Sequence, residues 1–256
     1  MSPPAAYRLQ GRRETLSGPC PPVNRKGLPE GREIVPSLAV EPANQAHYFQ
    51  VRPEAPSRPG RVTLRWAGRE LELETDAGVF SPRQVDPGTA VLLDHLGPVP
   101  GSGILVDLGC GYGPLTIPLA LAAPQAEVWA LDVNERALDL IRRNAAALAL
   151  ANVRVGDGAG AAPDGPLAGL WSNPPIRIGK AALHHLLTTW LDRLAPDARA
   201  RLVVQKHLGS DSLARWLEGE GFPTKRVTSV KGYRVLEVGA RPPEAPTMDL
   251  RHGSAP

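Results

Sequence analysis

The run SNPPIRIGK, residues 172–180, places one amide side chain, Asn173, directly before two prolines. Proline fixes its own φ and restricts the residue before it, so Pro174 and Pro175 stiffen the backbone on both sides of a potential acceptor. An amide oxygen and a neighbouring main-chain carbonyl held rigidly together suit an amine, because both accept and can face its two N–H bonds. A second chemical signal is VDLGCGYG, residues 106–113, with Gly109, Gly111 and Gly113 at alternate positions. Glycines so placed let a chain turn sharply and come close to a ligand. Asp107 stands two places before the first of them. An anion there does nothing for a pyrophosphate and favours a cationic ligand.

Two further carboxylates follow at informative distances. Asp132 comes about twenty residues after the glycines, where a carboxylate accepts hydrogen bonds from ribose hydroxyls. Its other reading is a cap for the helix that starts near Asn134; the glycine loop at this spacing favours the ribose. Asp157, in VGDGAG (155–160), falls where an adenine would lie, or serves only as a turn residue between glycines. Together the three aspartates and the glycines point to a cationic, phosphate-free adenosine ligand, which S-adenosylmethionine satisfies. A nicotinamide dinucleotide is the competitor, but its G-x-G-x-x-G spacing is not met: the loop reads G-x-G-x-G, and Pro114 follows Gly113.

The elements that must position these residues alternate along the chain. VTLRW and ELELET alternate apolar and polar around Ala67-Gly68, so residues 61–81 read as an N-terminal β-hairpin. Asp86 and Pro87 read as the N-cap and first position of a short helix. ILVDL (104–108), EVWALD (127–132), VRV (153–155), GLWS (169–172) and ARLVVQ (200–205) are strands. Helices lie between them, ending near Ala122 and spanning 134–150, 179–194 and 210–220. KRVTSV and YRVLEVG, joined by Lys231-Gly232, close the pattern as an antiparallel C-terminal hairpin. The expected fold class is α/β: a doubly wound, mostly parallel seven-stranded sheet, which binds ligands beyond the carboxyl ends of its strands. Each site candidate falls at such an end.

The 256 residues are enough for one α/β domain with extensions. Many of the 28 prolines crowd the two ends. Residues 1–45 therefore read as a disordered extension, 46–240 as the folded domain, and 241–256 as a disordered tail. Residues 1–60 carry eight Lys/Arg against five Asp/Glu, while residues 61–256 carry twenty-one of each, so the net +3 sits in the leading segment. A neutral body does not by itself advertise nucleic acid. Cys20 and Cys110 form neither a disulfide framework nor a metal cluster, and no metal is expected. The longest apolar run, LTIPLALAA, is too short for a bilayer, and the N-terminus lacks a signal-like apolar core. These features imply a cytoplasmic protein with no membrane partner.

Four blocks occur jointly: GVFSPRQVDPGTAVLL (78–93), VDLGCGYGPLTIPLA (106–120), ALDVNERALDLIRRNA (130–145) and SNPPIRIGK. In combination they resemble the small-domain class I methyltransferases, and among these the 16S ribosomal RNA guanine-N2 enzymes. The resemblance runs from about His47 to Val238 and implies a Rossmann-like fold and S-adenosylmethionine as cofactor. It implies Gly109, Gly111 and Gly113 at the cofactor loop, Asp132 on the ribose, Asp157 near the adenine, and Asn173-Pro174-Pro175 at the methyl acceptor. Phe80 would close over the cofactor or target base, or else plug the sheet from below. The implied activity is N-methylation of an exocyclic amine of RNA, most of all guanine N2 of ribosomal RNA, by a monomer.

Two departures qualify the substrate. In many relatives the position after the prolines is aromatic and stacks on the acceptor; here it is Ile176, which leaves stacking to Phe80 or Tyr112. The duplicated half that often accompanies the 16S guanine enzymes has no counterpart as an internal repeat. Adenine N6, a protein glutamine amide, and a non-catalytic cofactor- or RNA-binding module stand as alternatives. Arg177 and Lys180 beside the acceptor motif, with Lys206, His207, Lys225, Lys231 and Arg234, are candidate phosphate contacts. His184 and His185 read as helix-surface residues.

Overall fold

In the computed structural model, residues 51–242 are described. The expectations for the extension 1–45, for Cys20 and for the tail beyond 242 lie outside them. The first elements are two antiparallel strands, β1 (Gly60–Trp66) and β2 (Arg69–Thr75), which form a sheet of their own. Their two-residue turn has positive φ at both Ala67 and Gly68, the geometry that matches the twist of a tight hairpin. The hairpin ends at Thr75, and residues 76–81 leave it as a loop that carries Phe80.

Helix α1 (Pro87–Leu93) follows, and its N-cap is Asp86 as expected, with the carboxylate accepting from Thr89 N at 3.0 Å. The alternating units are then β3 (Ile104–Leu108), α2 (Thr116–Ala122), β4 (Glu127–Leu131), α3 (Glu135–Ala147), β5 (Val153–Gly156), β6 (Leu167–Ser172), α4 (Lys180–Leu191), β7 (Leu194–Gln205), α5 (Ser210–Gly219), β8 (Thr224–Val230) and β9 (Tyr233–Gly239). Seven strands form one sheet in the order β5-β4-β3-β6-β7-β9-β8. The first five pair in parallel, and β9 runs antiparallel to both β7 and β8. The doubly wound fold expected from the alternation is therefore the fold observed.

Strand β7 is twice as long as ARLVVQ suggested. It begins at Leu194, which pairs with Leu167, and its register against β6 then shifts before Arg199 meets Gly169. Pro196 and Asp197 fall in that irregular stretch, which is why no apolar alternation marked it.

Period-two alternation divides the buried side chains between the two faces of the sheet. Leu105 and Val203 face one core, shared with the β1–β2 hairpin, α1, α2 and α3. Val106, Leu108, Leu202 and Val204 face the other, shared with α4 and α5. Asp107, two residues from Leu105, thus points to the α1–α3 side and is fully buried there. The strand order turns back between β3 and β6, with β4 on one side of β3 and β6 on the other. A crevice opens beyond the carboxyl ends at such a point, and the loops after β3 and β6 are the glycine turn and SNPP. Among the described residues, no helix is long and apolar enough to cross a membrane.

Candidate active site

The glycine turn is anchored from below. Gly109 N and Cys110 N both donate to Leu131 O, at 2.8 and 3.0 Å, which fastens the start of the turn to the end of β4. Asp132 completes the attachment: Oδ2 accepts from Gly111 N at 2.8 Å and Oδ1 from Asn134 N at 2.9 Å. Desolvation at this position pushes the Asp132 carboxyl up from its usual range, against the amides that favour its charge. Asp132 is not the cap of α3. That role belongs to Asn134, whose side chain accepts from Arg136 N and Ala137 N. Each Asp132 oxygen has spent one lone pair on an amide and keeps acceptor capacity for a hydroxyl.

The three glycines divide into two kinds. A side chain on Gly111 would meet nothing within 4 Å, and one on Gly109 would first reach the Asn173 carbonyl oxygen at 3.8 Å. Both therefore front open space. Gly113 does not: a Cβ there would stand 2.2 Å from Ile141 Cδ1, so this glycine lets α3 pack against the turn.

Asp107 lies beneath the loop and is wholly buried. Thr116 Oγ1 donates to its Oδ2 at 2.6 Å, while Oδ1 has no partner among the described residues. Burial pushes its carboxyl up to about 7, with the charge of Asp132 acting in the same direction. Asp157 closes a turn of its own after β5, and its Oδ1 accepts from the amides of Ala159, Gly160 and Ala161 at 2.8–2.9 Å. Those bonds, the Ala161 amide foremost, hold its carboxyl below the ordinary value. The turn reading of Asp157 is thus what its hydrogen bonds display, one strand over from Asp132.

Asn173 emerges from the end of β6 and is oriented by residues from α1. Its Nδ2 donates to Asp86 Oδ2 at 2.8 Å and to Thr89 Oγ1 at 3.1 Å. A carboxylate only accepts, so the nitrogen must face Asp86 and the amide oxygen is left facing away from it. The next carbonyl, of Pro174, accepts from Ile176 N at 2.8 Å across a tight turn at Pro175, and one of its lone pairs remains. Asp86 and Thr89 were not among the residues singled out for chemistry. Asp86 was recognisable only as a helix cap, and its second duty joins residues 87 positions apart.

These groups share one cleft, lined by Phe80, Asp86, Thr89, the 109–112 turn, Pro114, Leu115 and Asn173, with Ser81 at its margin. Phe80 is 40% exposed and borders this cleft, so it does not plug the sheet from below. Tyr112, offered as an alternative stacking residue, is only 1% exposed and its hydroxyl donates to Gln84 O at 3.2 Å. Its ring is a core residue and presents no free face. Ile176 packs against the α4–α5 core.

Two of the candidate phosphate contacts are already engaged. Arg234 is buried in an ion pair with Asp211, and Lys225 Nζ lies 2.8 Å from Glu237 Oε1. Arg177, Lys180, Lys206, His207 and Lys231 are exposed. His184 is stacked on Trp216 with centroids 3.6 Å apart, a packing role, and Cys110 is a buried free thiol. Among the described residues, no group of three or more His, Cys, Asp or Glu could hold a metal ion.

The cleft lining suits the expected cofactor. It contains one carboxylate, Asp86, and no basic side chain, so it offers nothing to neutralise a polyphosphate. The open faces of Gly109 and Gly111 admit a ligand against the backbone, and Asp132 stands behind them with acceptor capacity for a diol.

The family model for the methyltransferase small domain matches residues 70–237. The chain belongs to that family. An uncharacterised protein of Bacillus subtilis, YbxB, is 29% identical over 194 residues, covering 75% of this chain and 96% of its own. The ribosomal RNA small subunit methyltransferase C of Stutzerimonas stutzeri is 35% identical over 244 residues, covering 85% of this chain and 71% of its own. A solved structure of the T. thermophilus 16S rRNA N2 G1207 methyltransferase (RsmC), in complex with AdoMet and guanosine, superimposes with a TM-score of 0.61 at 27% identity. That match covers 73% of this chain, which spans about half (52%) of the solved one. The chain is a methyltransferase that depends on S-adenosylmethionine.

Proposed function

We propose that this protein methylates an exocyclic amine of ribosomal RNA, and specifically guanine N2. The observation that carries the reading is the Asn173 amide, turned by Asp86 and Thr89 so that its oxygen is a fixed acceptor beside the glycine turn. The small subunit methyltransferase relatives and the guanosine-bound T. thermophilus structure support RNA and guanine as acceptor. Gly109, Gly111 and Asp132 would hold the cofactor, with Phe80 closing over it and Asp157 toward the adenine end. The acting unit is taken to be a monomer.

When bound, S-adenosylmethionine supplies an electrophilic methyl group on a sulfonium centre. The rest is work for the protein. An exocyclic purine amine is a poor nucleophile because its lone pair is delocalised into the ring. Acceptors aimed at its two N–H bonds localise that pair and stabilise the positive charge that grows on nitrogen. Asn173 Oδ1 is one acceptor, and the remaining lone pair of the Pro174 carbonyl is the other. Pro175 holds the direction of that carbonyl. No general base is needed, since the ammonium product loses its proton to water. Placing the amine in line supplies much of the remaining rate. A base within a duplex must first leave its stack, at a cost of a few kcal/mol.

The test uses labelled cofactor with small ribosomal subunits, naked ribosomal RNA, DNA and a protein extract, for the wild type and Asn173→Ala. Label in RNA that maps to guanine and is lost with Asn173→Ala is the expected result. Label confined to protein or to adenine overturns the guanine reading, and tight cofactor binding with no transfer to any acceptor reduces the chain to a binding module.

A further inference from the structure

A flat nucleobase held for in-line attack needs a surface against its π face as well as acceptors at its edge. The residue next to the acceptor prolines supplies no ring, because Ile176 is aliphatic and packs, half-buried, against the α4–α5 core. Tyr112 is buried, and Phe80, which borders the cleft, is assigned above to the cofactor. One more aromatic ring stands at this end of the sheet. Tyr233 is the first residue of β9, paired with Gln205 at the carboxyl end of β7 and with Val230 at the end of β8. The neighbouring strand β6 ends at Asn173's doorstep, Ser172.

The position of the ring is defined by Gly88. A Cβ built on Gly88 would stand 2.8 Å from Tyr233 Cε1 and 2.9 Å from Asp86 Oδ2. The tyrosine ring and the aspartate carboxylate thus converge on one glycine at the start of α1. That same Asp86 oxygen is the one that accepts from Asn173 Nδ2 at 2.8 Å. Tyr233 therefore lies beside Asp86, which lines the cleft and holds Asn173, although the three come from β9, the N-terminus of α1 and the end of β6. Tyr233 is half-buried rather than sealed in the core. Burial and then the charge of Asp86 push its hydroxyl above the ordinary tyrosine value, consistent with that proximity.

We propose that Tyr233 is the aromatic wall of the acceptor site, offering its ring to the target base, and that residue 88 is glycine so the ring can lie beside Asp86. This rests on the nucleobase reading above. It adds a substrate-contacting residue from the C-terminal hairpin, remote in sequence from every recognised motif.

The experiment measures KM for the RNA acceptor, kcat, cofactor Kd and Tm for the wild type, Tyr233→Leu, Tyr233→Phe and Gly88→Ala. Loss of one base–aromatic stack raises the acceptor KM by about tenfold to a hundredfold. That rise is expected for Tyr233→Leu, with cofactor Kd within about twofold of wild type and with near-normal KM restored in Tyr233→Phe. Gly88→Ala should reproduce the KM effect and lower kcat as well, because its methyl group would press on both the ring and Asp86 Oδ2. An unchanged acceptor KM in Tyr233→Leu overturns the proposal while leaving the RNA reading intact. So does a KM rise in Tyr233→Leu that comes with matching losses in Tm and cofactor affinity, which marks a packing role. If the wild type itself labels no nucleic acid, the acceptor reading falls first and this proposal with it.

Discussion

Asn173 Nδ2 and Asp86 Oδ2 lie 2.8 Å apart, and the same Asp86 oxygen caps α1 through Thr89 N at 3.0 Å. One carboxylate oxygen thus sets both the start of a helix and the direction of the Asn173 amide.

Replacing Asp86 separates these two duties. In Asp86→Ala the Asn173 amide loses its charged partner and can rotate, so kcat should fall by about a hundredfold, the scale for one misplaced transition-state hydrogen bond. Loss of the cap should cost about 1 kcal/mol in urea unfolding. Asp86→Asn keeps an acceptor oxygen able to serve both Thr89 N and Asn173 Nδ2, and should retain most of the activity and stability. Single-turnover methyl transfer and urea titration on the two variants check this. Equal kcat in Asp86→Ala and wild type would show that Asn173 needs no such orientation.

Two glycines in one turn should fail in different ways. Gly111 has φ 56°, within the left-handed region, and open space where a Cβ would go. Gly111→Ala pays about 1–2 kcal/mol of backbone strain and places a methyl in the open space proposed above for the cofactor, so cofactor affinity should fall at least tenfold. Gly113 has φ 102° and faces Ile141. Gly113→Ala should cost stability first, with overpacking adding about 1–3 kcal/mol. Calorimetry of binding and of unfolding on both variants tests the division, which fails if Gly113→Ala leaves Tm unchanged.

What local spacing could convey about this molecule is the strand–helix alternation, the glycine turn, Asp132 and the acceptor motif. Each is written within about twenty residues of its own signal. What it could not convey is which distant groups meet. Asp86 reads locally as a cap, and nothing near it announces Asn173. Lys225 and Arg234 read as free cations until the folded chain brings Glu237 and Asp211 to them. Asp107 reads as an anion facing a ligand, but its place on the buried face of β3 depends on the helices that cover it. Long-range pairing of this kind is decided by packing and leaves no periodic trace.

Asn144, buried on α3, is another such junction. Its side chain accepts from Glu74 N at 2.8 Å and donates to Glu74 O at 3.0 Å and to Tyr112 O at 2.9 Å. It ties the end of strand β2 to the glycine turn. Asn144→Leu would strand three backbone groups, each costing about 1–3 kcal/mol if left unpaired. Urea unfolding should show a loss of several kcal/mol, and hydrogen exchange should rise at the Glu74 amide. A stability change below about 1 kcal/mol would mean water replaces these bonds without penalty.

The pH dependence of stability should carry the mark of Asp107. Its folded carboxyl is pushed up to about 7 by burial, against about 3.9 for an unfolded aspartate. Below about pH 4 the group is protonated in both states, and above about 7 it is ionised in both. Between these values the folded protein holds a proton that the unfolded chain has released, so stability falls as pH rises, by up to about 1.4 kcal/mol per pH unit from this group. Asp107→Asn removes the titration while leaving Thr116 Oγ1 an amide oxygen to donate to. The difference in unfolding free energy, wild type minus Asp107→Asn, should therefore decline from pH 5 to pH 7 and level off above pH 8. Urea midpoints at pH 5, 6, 7 and 8 measure it. A difference that stays constant across the series would mean Asp107 is already ionised in the folded state at pH 5, with the Thr116 hydroxyl and the loop amides compensating its charge in full.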